Sequence, residues 1–449
     1  MLLLVAACGR IGFAPVDDAA DAGPPDEHSG TRIKLTWVDY DGTRELTGIY
    51  DSQRGELCNS EAWADGTTYC LPSDRFFAAY TDASCTQPIG WNPFGPNGFQ
   101  PKYAEELPLP CASFAHFYPI GAALATSYYL SNGFGGCSGP YPNNNPQVTL
   151  YTLGPEISVP TTFASMTVTN TPSTGRLSTH YFETTDGFRM QAALYDTTLA
   201  AECSVSTYDQ GTACLPANGV TTTFQDSSCT QPEIDVSSSC PMPRYAAALA
   251  INQCTTDQPT LYRVGATQSA SHYSWNGMTC APVTAKAGYD YYRFDSAVTV
   301  PSVAIQPDTV PGKRIQIRRV VGEGASLRGT NMYDTLFDAQ CDAQNASDGT
   351  LRCLLGAPSV QKYYSDAACT MSFFGWQALP DPGCSSVAVP AFLQVPSMAG
   401  TSVYRTGTRI TGPVYTALCV QLPPTSTIYG LGAEITADQL VAGAPGTDP

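Results

Sequence analysis

The sequence predicts an all-β protein built from three tandem repeats of about 140 residues, and three observations support this. The 449-residue chain is rich in Gly (39), Pro (36) and Tyr (25) and only 14% charged, a composition that favours short strands and turns. No long stretch has a helical period. Similar cysteine-bearing segments recur in the same order, and the equivalent Cys58, Cys203 and Cys341 lie 145 and 138 residues apart.

The repeats cover residues 31–169, 176–305 and 313–440, and each contains the same markers. One marker reads YTDASCTQP in the first repeat, FQDSSCTQP in the second and YSDAACTMS in the third. The segment RIKLTWVDYDGTRELTGIYD has strand residues on both sides of Asp41-Gly42, which predicts a hairpin, and Asp186-Gly187 stands at the matching place in the second repeat.

Two arrangements of these strands remain open. Each repeat has room for about eight short strands, so the repeats could close a six-bladed β-propeller with two blades per repeat. Short joins at 169–175 and 306–313 and a weak similarity between 194–203 and 261–280 favour the propeller. The alternative is three tandem β-sandwich or barrel domains.

The N-terminus resembles the end of a bacterial lipoprotein signal, with Val5-Ala6-Ala7-Cys8 as the lipobox. That resemblance implies that residues 1–8 are a signal remnant ending in the lipidated Cys8, and that the membrane lipid is a partner. Residues 9–30 are acidic, Pro/Gly/Ala-rich and without period, which predicts a disordered tether. Residues 441–449 are predicted to be a flexible tail.

Charge and composition exclude some classes of function. The net charge of −17 repels phosphate backbones, so we expect no nucleic-acid partner. No apolar run approaches the roughly 20 residues of a membrane-spanning helix. No CxxC occurs and the four histidines do not recur in the repeats, so we expect no metal site. The sequence indicates no other cofactor.

The sixteen cysteines beyond Cys8 indicate an oxidising compartment. Repeat spacing predicts seven disulfides: Cys58–Cys70, Cys203–Cys214, Cys341–Cys353, Cys85–Cys111, Cys229–Cys240, Cys369–Cys384 and Cys254–Cys280. Cys137 and Cys419 then remain, and we expect them to be buried free thiols; a bridge between repeats or another connectivity stays open.

Two sets of aspartates recur in every repeat. Paired carboxylates could serve acid–base chemistry or bind calcium, but a side chain repeated in every unit is better explained as a turn-forming residue. We therefore predict no catalytic residue among Asp51, Asp196 and Asp334, which end strands, or Asp82, Asp226 and Asp366, which precede cysteines.

A binding site is expected where the repeats differ. The first repeat carries aromatic residues after Cys85, and the third carries them after Cys369, whereas the second has PEIDVSSS there. Aromatic side chains on a loop can stack on sugars or anchor a protein partner, or they can fold back into a small cluster. The predicted ligand-binding residues are Trp91, Phe94, Phe99, Phe374 and Trp376.

The start CGRIGF and the recurring YDT, ADG and CLP segments around the cysteines resemble an uncharacterised extracellular repeat family of myxobacterial-type lipoproteins. The resemblance covers about residues 31–440, and the third repeat departs from it at Leu354-Leu355 and Met371-Ser372. It implies an exported protein of the outer membrane, cell surface or periplasm and no particular activity. We expect a lipid-anchored binding or adhesion scaffold of the cell envelope for a glycan or protein ligand. The alternatives are an extracellular hydrolase acting on polysaccharide and a purely structural envelope protein.

Overall fold

A computed structural model of the chain describes residues 27–63, 65–94, 101–106, 116–131, 136–145, 148–171, 173, 175–208, 211–216, 220–221, 223–238, 240–249, 257–268, 271–275, 279–307, 313–378, 389–397, 399–423 and 426–449. These residues form strands and two single helical turns, which confirms the all-β prediction. Among them, no helix has the length and apolar character needed to cross a membrane.

Repeat 1 consists of a four-stranded antiparallel meander, an outer sheet and a linking strand. The meander contains β1 (Ile33–Tyr40), β2 (Thr43–Asp51), β3 (Glu56–Ala62) and β4 (Thr68–Pro72). The outer sheet contains β5 (Arg75–Tyr80), β6 (Pro88–Asn92), β7 (Tyr103–Glu106), β8 (His116–Leu124), β9 (Tyr128–Ser131), β10 (Cys137–Tyr141) and β11 (Thr149–Leu153). The helical turn α1 (Val159–Thr162) leads into the linking strand β12 (Ser165–Asn170).

Repeats 2 and 3 follow the same plan. Repeat 2 has the meander β13 (Leu177–Glu183), β14 (Arg189–Asp196), β15 (Ala201–Tyr208) and β16 (Gly211–Leu215), the outer strands β17 (Val220–Thr221), β18 (Thr223–Phe224), β19 (Pro232–Ser237), β20 (Tyr245–Ala248), β21 (Thr260–Gln268), β22 (His272–Trp275), β23 (Cys280–Val283) and β24 (Tyr289–Val298), and the linking strand β25 (Ser302–Pro307). Repeat 3 has the meander β26 (Ile315–Gly322), β27 (Ala325–Asp334), β28 (Ala339–Asn345) and β29 (Leu351–Leu355), the outer strands β30 (Gln361–Tyr364), β31 (Ser372–Ala378), β32 (Phe392–Ser397), β33 (Gly400–Arg409) and β34 (Thr427–Ile435), a 3-10 turn (Ala437–Gln439) and the linking strand β35 (Ala444–Thr447).

The three meanders form one continuous sheet of 15 strands that closes on itself. Each linking strand pairs with the last meander strand of its own repeat and with the first strand of the next, as β12 does with β4 and β13. The final linking strand pairs with β1, and the residues before it bond to β29 through the Cys353 N–H and the Val441 carbonyl at 3.0 Å. The ring is therefore complete.

The three outer sheets, of seven, eight and five strands, are separate from this ring. A propeller would require six separate blades, and these sheets do not show them, because the inner halves of all three repeats share one hydrogen-bonded ladder. The outer sheets are individual modules, as tandem domains would have, but the ring joins the repeats into one body.

A tight hairpin connects the first two strands of each meander, for a local reason. Asp41 and Gly42 have φ values of 56° and 81°, the left-handed geometry that a two-residue type I′ turn requires. Gly187 also has a positive φ, of 92°, at the predicted second turn. In repeat 3 the equivalent turn is Glu323-Gly324.

The tip of each hairpin contacts the start of another repeat. The Asp186 carboxylate accepts hydrogen bonds from the backbone N–H groups of Arg32 and Ile33 at 2.5 and 2.9 Å. The repeat 1 tip accepts a bond from Lys313. A Cβ atom on Gly175 would collide with the Glu323 carbonyl, so only glycine fits below the repeat 3 tip. These contacts run cyclically around the ring.

Hydrophobic clusters fill the junctions between repeats. Each cluster joins the meander of one repeat, including its first disulfide, to the hairpin tip of another. The buried members include Ile33, Ile49, Cys58, Cys70, Met166 and Phe188; Leu177, Leu194, Cys203, Cys214, Val303 and Ala325; and Val38, Tyr40, Ile315, Met332, Cys341 and Cys353. The apolar side chains that alternate along the meander strands therefore also stabilise the contacts between repeats.

The predicted boundaries need correction at both ends of the fold. Residues 27–30, expected to belong to the disordered tether, contact the ring: the backbone of His28 exchanges two hydrogen bonds with Arg189 at 2.9 Å. Ser29 Oγ donates to the Asp448 carboxylate at 2.8 Å. The expected flexible tail contains the strand β35, whose backbone pairing with β1 holds it in place.

Candidate functional site

The aromatic residues predicted to bind a ligand in repeat 1 lie at and after β6. Trp91 is half-buried against the cluster around Leu150, and its Nε1 is buried without a hydrogen-bond partner among the described residues. Phe94 is 53% exposed, with its ring centroid 5.6 Å from that of Phe76. Phe99 lies outside the described residues. Of the two residues that the structure describes, Phe94 is therefore more accessible to a ligand than Trp91.

The predicted residues of repeat 3 lie on β31. Phe374 is 44% exposed, whereas Trp376 is half-buried and 6.3 Å from Tyr429 between ring centroids. The aromatic residues of repeats 1 and 3 belong to different outer sheets. Their role in ligand binding stays a prediction.

The short-range cysteine pairs are those predicted from the sequence. Three disulfides each join the last two strands of a meander: Cys58–Cys70, Cys203–Cys214 and Cys341–Cys353. Hairpin strands bring such cysteines together over separations of 11 or 12 residues, so a local turn is enough to predict them. Together with the other disulfides they indicate an oxidising, extracytoplasmic environment.

The longer-range pairs differ from the prediction. Cys85 is bonded to Cys137 rather than Cys111, Cys229 to Cys280 rather than Cys240, and Cys369 to Cys419 rather than Cys384. Cys254–Cys280 is therefore wrong as well, and neither Cys137 nor Cys419 is a free thiol. Cys240 is disulfide-bonded; Cys111, Cys254 and Cys384 lie outside the described residues.

The reason is spatial. The turn that contains Cys85 or Cys229 packs against a hairpin about 50 residues later in the chain, and that hairpin carries Cys137 or Cys280. Cys137 Sγ lies 3.6 Å from the Asp82 carbonyl oxygen, and Cys280 Sγ lies 3.5 Å from that of Asp226. The sequence contained a signal for this pairing. The separations are 52, 51 and 50 residues, far more constant than the 26, 11 and 15 of the predicted pairs.

The aspartate of YTDASCTQP and its two copies shapes this loop. Asp82 accepts hydrogen bonds from the backbone N–H groups of Thr86 and Gln87 at 3.0 and 2.8 Å, and Asp226 and Asp366 accept the equivalent bonds. The turn places each cysteine at a φ of 51–53°. Desolvation would raise the pKa of Asp82, but the hydrogen bonds from Gln87, Ser84 and Thr86 hold that pKa well below its usual range.

The aspartates at the strand ends are also structural, and their partners were not predicted. In each repeat an arginine at the start of the meander forms a forked ion pair with a buried aspartate: Arg32–Asp51, Arg176–Asp196 and Arg314–Asp334. The same arginine donates to the carbonyl of Thr162, Thr299 or Gln439, next to the linking strand. The recurring arginine 19 or 20 residues before the aspartate was the available signal.

Repeat 1 buries a carboxyl that is only partly paired. Glu45 is buried and its Oε2 has no hydrogen-bond partner among the described residues. Burial, together with the negative charge of Asp342, raises the pKa of Glu45 to about 7, and the positive charge of Arg328 opposes this only in part.

Repeat 2 buries a histidine–carboxylate pair inside its outer module. His272 Nδ1 lies 2.9 Å from Glu233 Oε1, and the imidazole stacks on Tyr291 with ring centroids 3.7 Å apart. Both side chains are almost completely enclosed. A polysaccharide chain cannot reach them, so this pair does not support the hydrolase alternative.

Repeat 3 exposes large apolar side chains where the other repeats do not. Met371, Leu418 and Val420, here named the repeat 3 apolar patch, flank the Cys369–Cys419 disulfide and are 65%, 85% and 60% exposed. The matching positions are Gln87, Gly136 and Ser138 in repeat 1 and Gln231, Thr279 and Ala281 in repeat 2. Exposed apolar groups gathered at one place are typical of an interaction site.

A pocket adjoins this patch. Residues 414–422 form a small hairpin, closed by hydrogen bonds between Leu422 and Val414 and between Thr416 and Val420. On one side of this hairpin lies a pocket of about 260 Å³, lined mainly by Ile410, Pro413, Val414, Leu422, Pro423 and Ile428.

Charge also distinguishes repeat 3. Residues 313–440 contain nine basic and nine acidic residues, whereas 31–169 contain six and twelve, and 176–305 contain six and eleven. The segment ITGPVYTALCVQLPPTSTI, residues 410–428, has no charged residue. The centres of protein interfaces are depleted of charge in the same way. The ligand-binding residues predicted from the sequence are all aromatic, so they do not include Met371, Leu418 or Val420.

Comparison with known proteins gives one match. A family model described as a family of unknown function, DUF7481, matches residues 2–425. Neither the curated proteins nor the solved structures contain a significant match. Because the family model spans most of the sequence, the chain belongs to the DUF7481 family.

Proposed function

We propose that this protein is a disulfide-stabilised binding scaffold of the bacterial cell envelope, anchored by lipid on Cys8, and that the repeat 3 apolar patch is its binding surface. The observation that carries the proposal is the contrast between repeats. The three outer modules share one loop and disulfide framework, but only repeat 3 surrounds that disulfide with Met371, Leu418 and Val420. An exposed apolar surface costs solubility unless a partner covers it.

The repeats supply the matched variant for a test. Met371→Gln, Leu418→Thr and Val420→Ala together give repeat 3 the residues of repeat 2 at this place. The three side chains are mostly exposed, so we expect the variant to fold. Phe77→Gln, which removes a 53% exposed phenylalanine from repeat 1, is the control.

The measurement is retention of the intact protein by envelope fragments of its source bacterium. We expect wild type and the Phe77→Gln control to be retained and the triple variant to be lost. Equal retention of all three proteins would refute the patch as the binding surface. For the anchor, labelling with a radioactive fatty acid should depend on Cys8, and labelling that persists in Cys8→Ser would exclude it.

Glycan binding at the repeat 1 aromatic loop is a second candidate, favoured by the exposed ring of Phe94 beside Phe76. A glycan array with wild type and Phe94→Ala tests it. Glycan binding that is unchanged in the variant would place the glycan elsewhere.

A further inference from the structure

The junction between repeats 3 and 1 differs from the other two junctions in its charge. Glu45 lies on β2, and the matching ladder positions in repeats 2 and 3 hold Met190 and Leu327. Those two apolar side chains pack into the hydrophobic clusters of their own junctions. A carboxyl group in the same place loses its hydration without the gain from apolar burial. The chain therefore places an acid where the packing of the other junctions favours a hydrophobic residue.

A second acid comes from repeat 3. Asp342 follows Cys341 on β28, whereas the residues that follow the matching cysteines in repeats 1 and 2 are the uncharged Asn59 and Ser204. The negative charge of Asp342 helps to raise the pKa of Glu45, so the two carboxyl groups lie close together. Burial also raises the pKa of Asp342. Two like charges in such a place repel each other unless a positive charge or a proton lies with them.

The Tyr40 hydroxyl completes a group of three oxygen-bearing side chains. Tyr40 follows Val38 by two residues, and Val38 pairs with Glu45, so Tyr40 and Glu45 share one face of the ladder. Tyr40 is 1% exposed, and neither its Oη nor Glu45 Oε2 has a hydrogen-bond partner among the residues that the structure describes. Burial raises the pKa of Tyr40, and the negative charges of Glu45 and Asp342 raise it further, so the hydroxyl lies near both. Buried oxygens without a partner point to a bound water or ion that supplies one.

We propose that Glu45, Asp342 and Tyr40 bind a calcium ion that joins repeat 1 to repeat 3. All three side chains offer oxygen, which suits Ca²⁺ and Mg²⁺ better than metals that prefer nitrogen or sulfur. Ca²⁺ accepts irregular sets of carboxylate, neutral oxygen and water ligands, whereas Mg²⁺ demands a near-ideal octahedron. The expectation of no metal site concerned cysteine and histidine ligands, and this site uses neither. The proposal is independent of the repeat 3 apolar patch.

A neighbouring arginine limits the expected affinity. The positive charge of Arg328 lowers the pKa of Glu45 and so competes with a bound cation. The Arg328 guanidinium also lies 3.5 Å from the carboxylate of Glu27. The three carboxylates outnumber the one guanidinium, so the local charge stays negative. With only two carboxylate ligands, we expect a dissociation constant on the order of 0.1–1 mM, the range of extracellular calcium modules.

Isothermal titration calorimetry of the intact, chelator-treated protein with CaCl₂ tests the proposal, at a pH above the pKa of Glu45. Glu45→Gln and Asp342→Asn should each raise the dissociation constant at least about tenfold, because loss of a group that only supports a ligand already costs about 10–100-fold. Tyr40→Phe should weaken binding without a change in charge. Asp41→Asn is the matched control and should bind as wild type does. It removes one negative charge from the exposed tip of the same hairpin, and asparagine suits the left-handed turn.

Thermal melts provide a second measurement, because a ligand that binds only the folded protein raises the melting temperature. Wild type and Asp41→Asn should melt at a higher temperature in excess CaCl₂ than in chelator, whereas Glu45→Gln and Asp342→Asn should not. MgCl₂ at the same concentration shows the effect of salt alone.

Three results would overturn the proposal. Wild type might bind no calcium, in which case the two carboxyl groups share a proton instead of a cation. The Glu45, Asp342 and Tyr40 variants might bind calcium as tightly as the Asp41→Asn control, which would place the ion elsewhere on this acidic chain. MgCl₂ might raise the melting temperature of wild type as much as CaCl₂ does, which would remove the preference for calcium. Far-UV circular dichroism establishes that each variant is folded.

Discussion

Removal of the arginine from a buried Arg–Asp pair should destabilise the ring strongly. Asp196 is completely buried, and Arg176 donates to its carboxylate from Nε at 3.0 Å and from the terminal nitrogen at 2.7 Å. The same guanidinium donates to the Thr299 carbonyl at 2.8 Å, just before the linking strand. Arg176→Met keeps the aliphatic stem but leaves the carboxylate without its counter-charge.

The expected loss of folding free energy depends on the hydrogen bonds that Asp196 keeps when the arginine is removed. Loss of one partner of a buried ion pair costs about 3–5 kcal/mol. Here the backbone N–H groups of Thr198 and Leu199 still donate to Asp196 at 2.9 and 3.1 Å, which favours the lower end. We expect the free energy of unfolding to fall by about 3 kcal/mol, with similar losses for Arg32→Met and Arg314→Met.

Urea unfolding with intact disulfides, followed by tryptophan fluorescence, measures this loss. Lys286→Met is the matched control, because it breaks a 2.6 Å ion pair with Asp235 in which the lysine is exposed; it should cost less than about 1 kcal/mol. If all three arginine variants also lost less than about 1 kcal/mol, the buried aspartates would not depend on the guanidinium groups and our reasoning would be wrong.

Three further outcomes are expected. The raised pKa of Glu45 means that the fold favours the protonated carboxyl, so the wild type should lose stability as pH rises from about 4.5 to 7. Glu45→Gln should remove that loss and stabilise the protein at pH 8 by about 2–3 kcal/mol. Urea titrations at several pH values measure this, and a variant whose stability still fell over this pH range would contradict it. The loop aspartates have lowered pKa values, so their ionised forms stabilise the fold above about pH 4, and this stabilisation is lost as the pH falls below that value. When Asp82, Asp226 and Asp366 are all changed to Asn, the melting temperature should therefore fall less steeply with decreasing pH. Truncation after Gln439 should expose the β1 backbone to hydrogen exchange while β14 stays protected, and unchanged β1 protection would contradict the closed ring.

Local features of the fold could be predicted from the sequence, whereas long-range ones could not. The Asp41-Gly42 hairpin and the Cys58–Cys70 disulfide depend on residues that are close together in the sequence. The partner of Cys85 lies on a separate hairpin, so no local geometry indicates it. The ring was missed because a linking strand such as β12 pairs on both sides, and strand pairing between repeats leaves no periodic trace in the sequence.

The repeat 3 apolar patch was not among the residues predicted from the sequence to bind a ligand. The predicted residues of repeat 3 were the aromatic Phe374 and Trp376, of which Trp376 is half-buried, and their role stays a prediction. Leu418 and Val420 lie on the other side of a disulfide that was assigned wrongly. With Cys419 paired to Cys369, the two segments become one surface, and the apolar contrast between repeats could have been found by alignment alone.

The closed ring also constrains the order in which the protein can mature. The strand that covers β1 comes from residues 444–447, which are synthesised after all the other described strands. Until then β1 presents an unpaired edge, the kind that recruits other chains. A nascent chain thus carries an open, adhesive edge during export and loses it only at the last step. Disulfides within the meanders can form early, but protection from aggregation waits for the final strand.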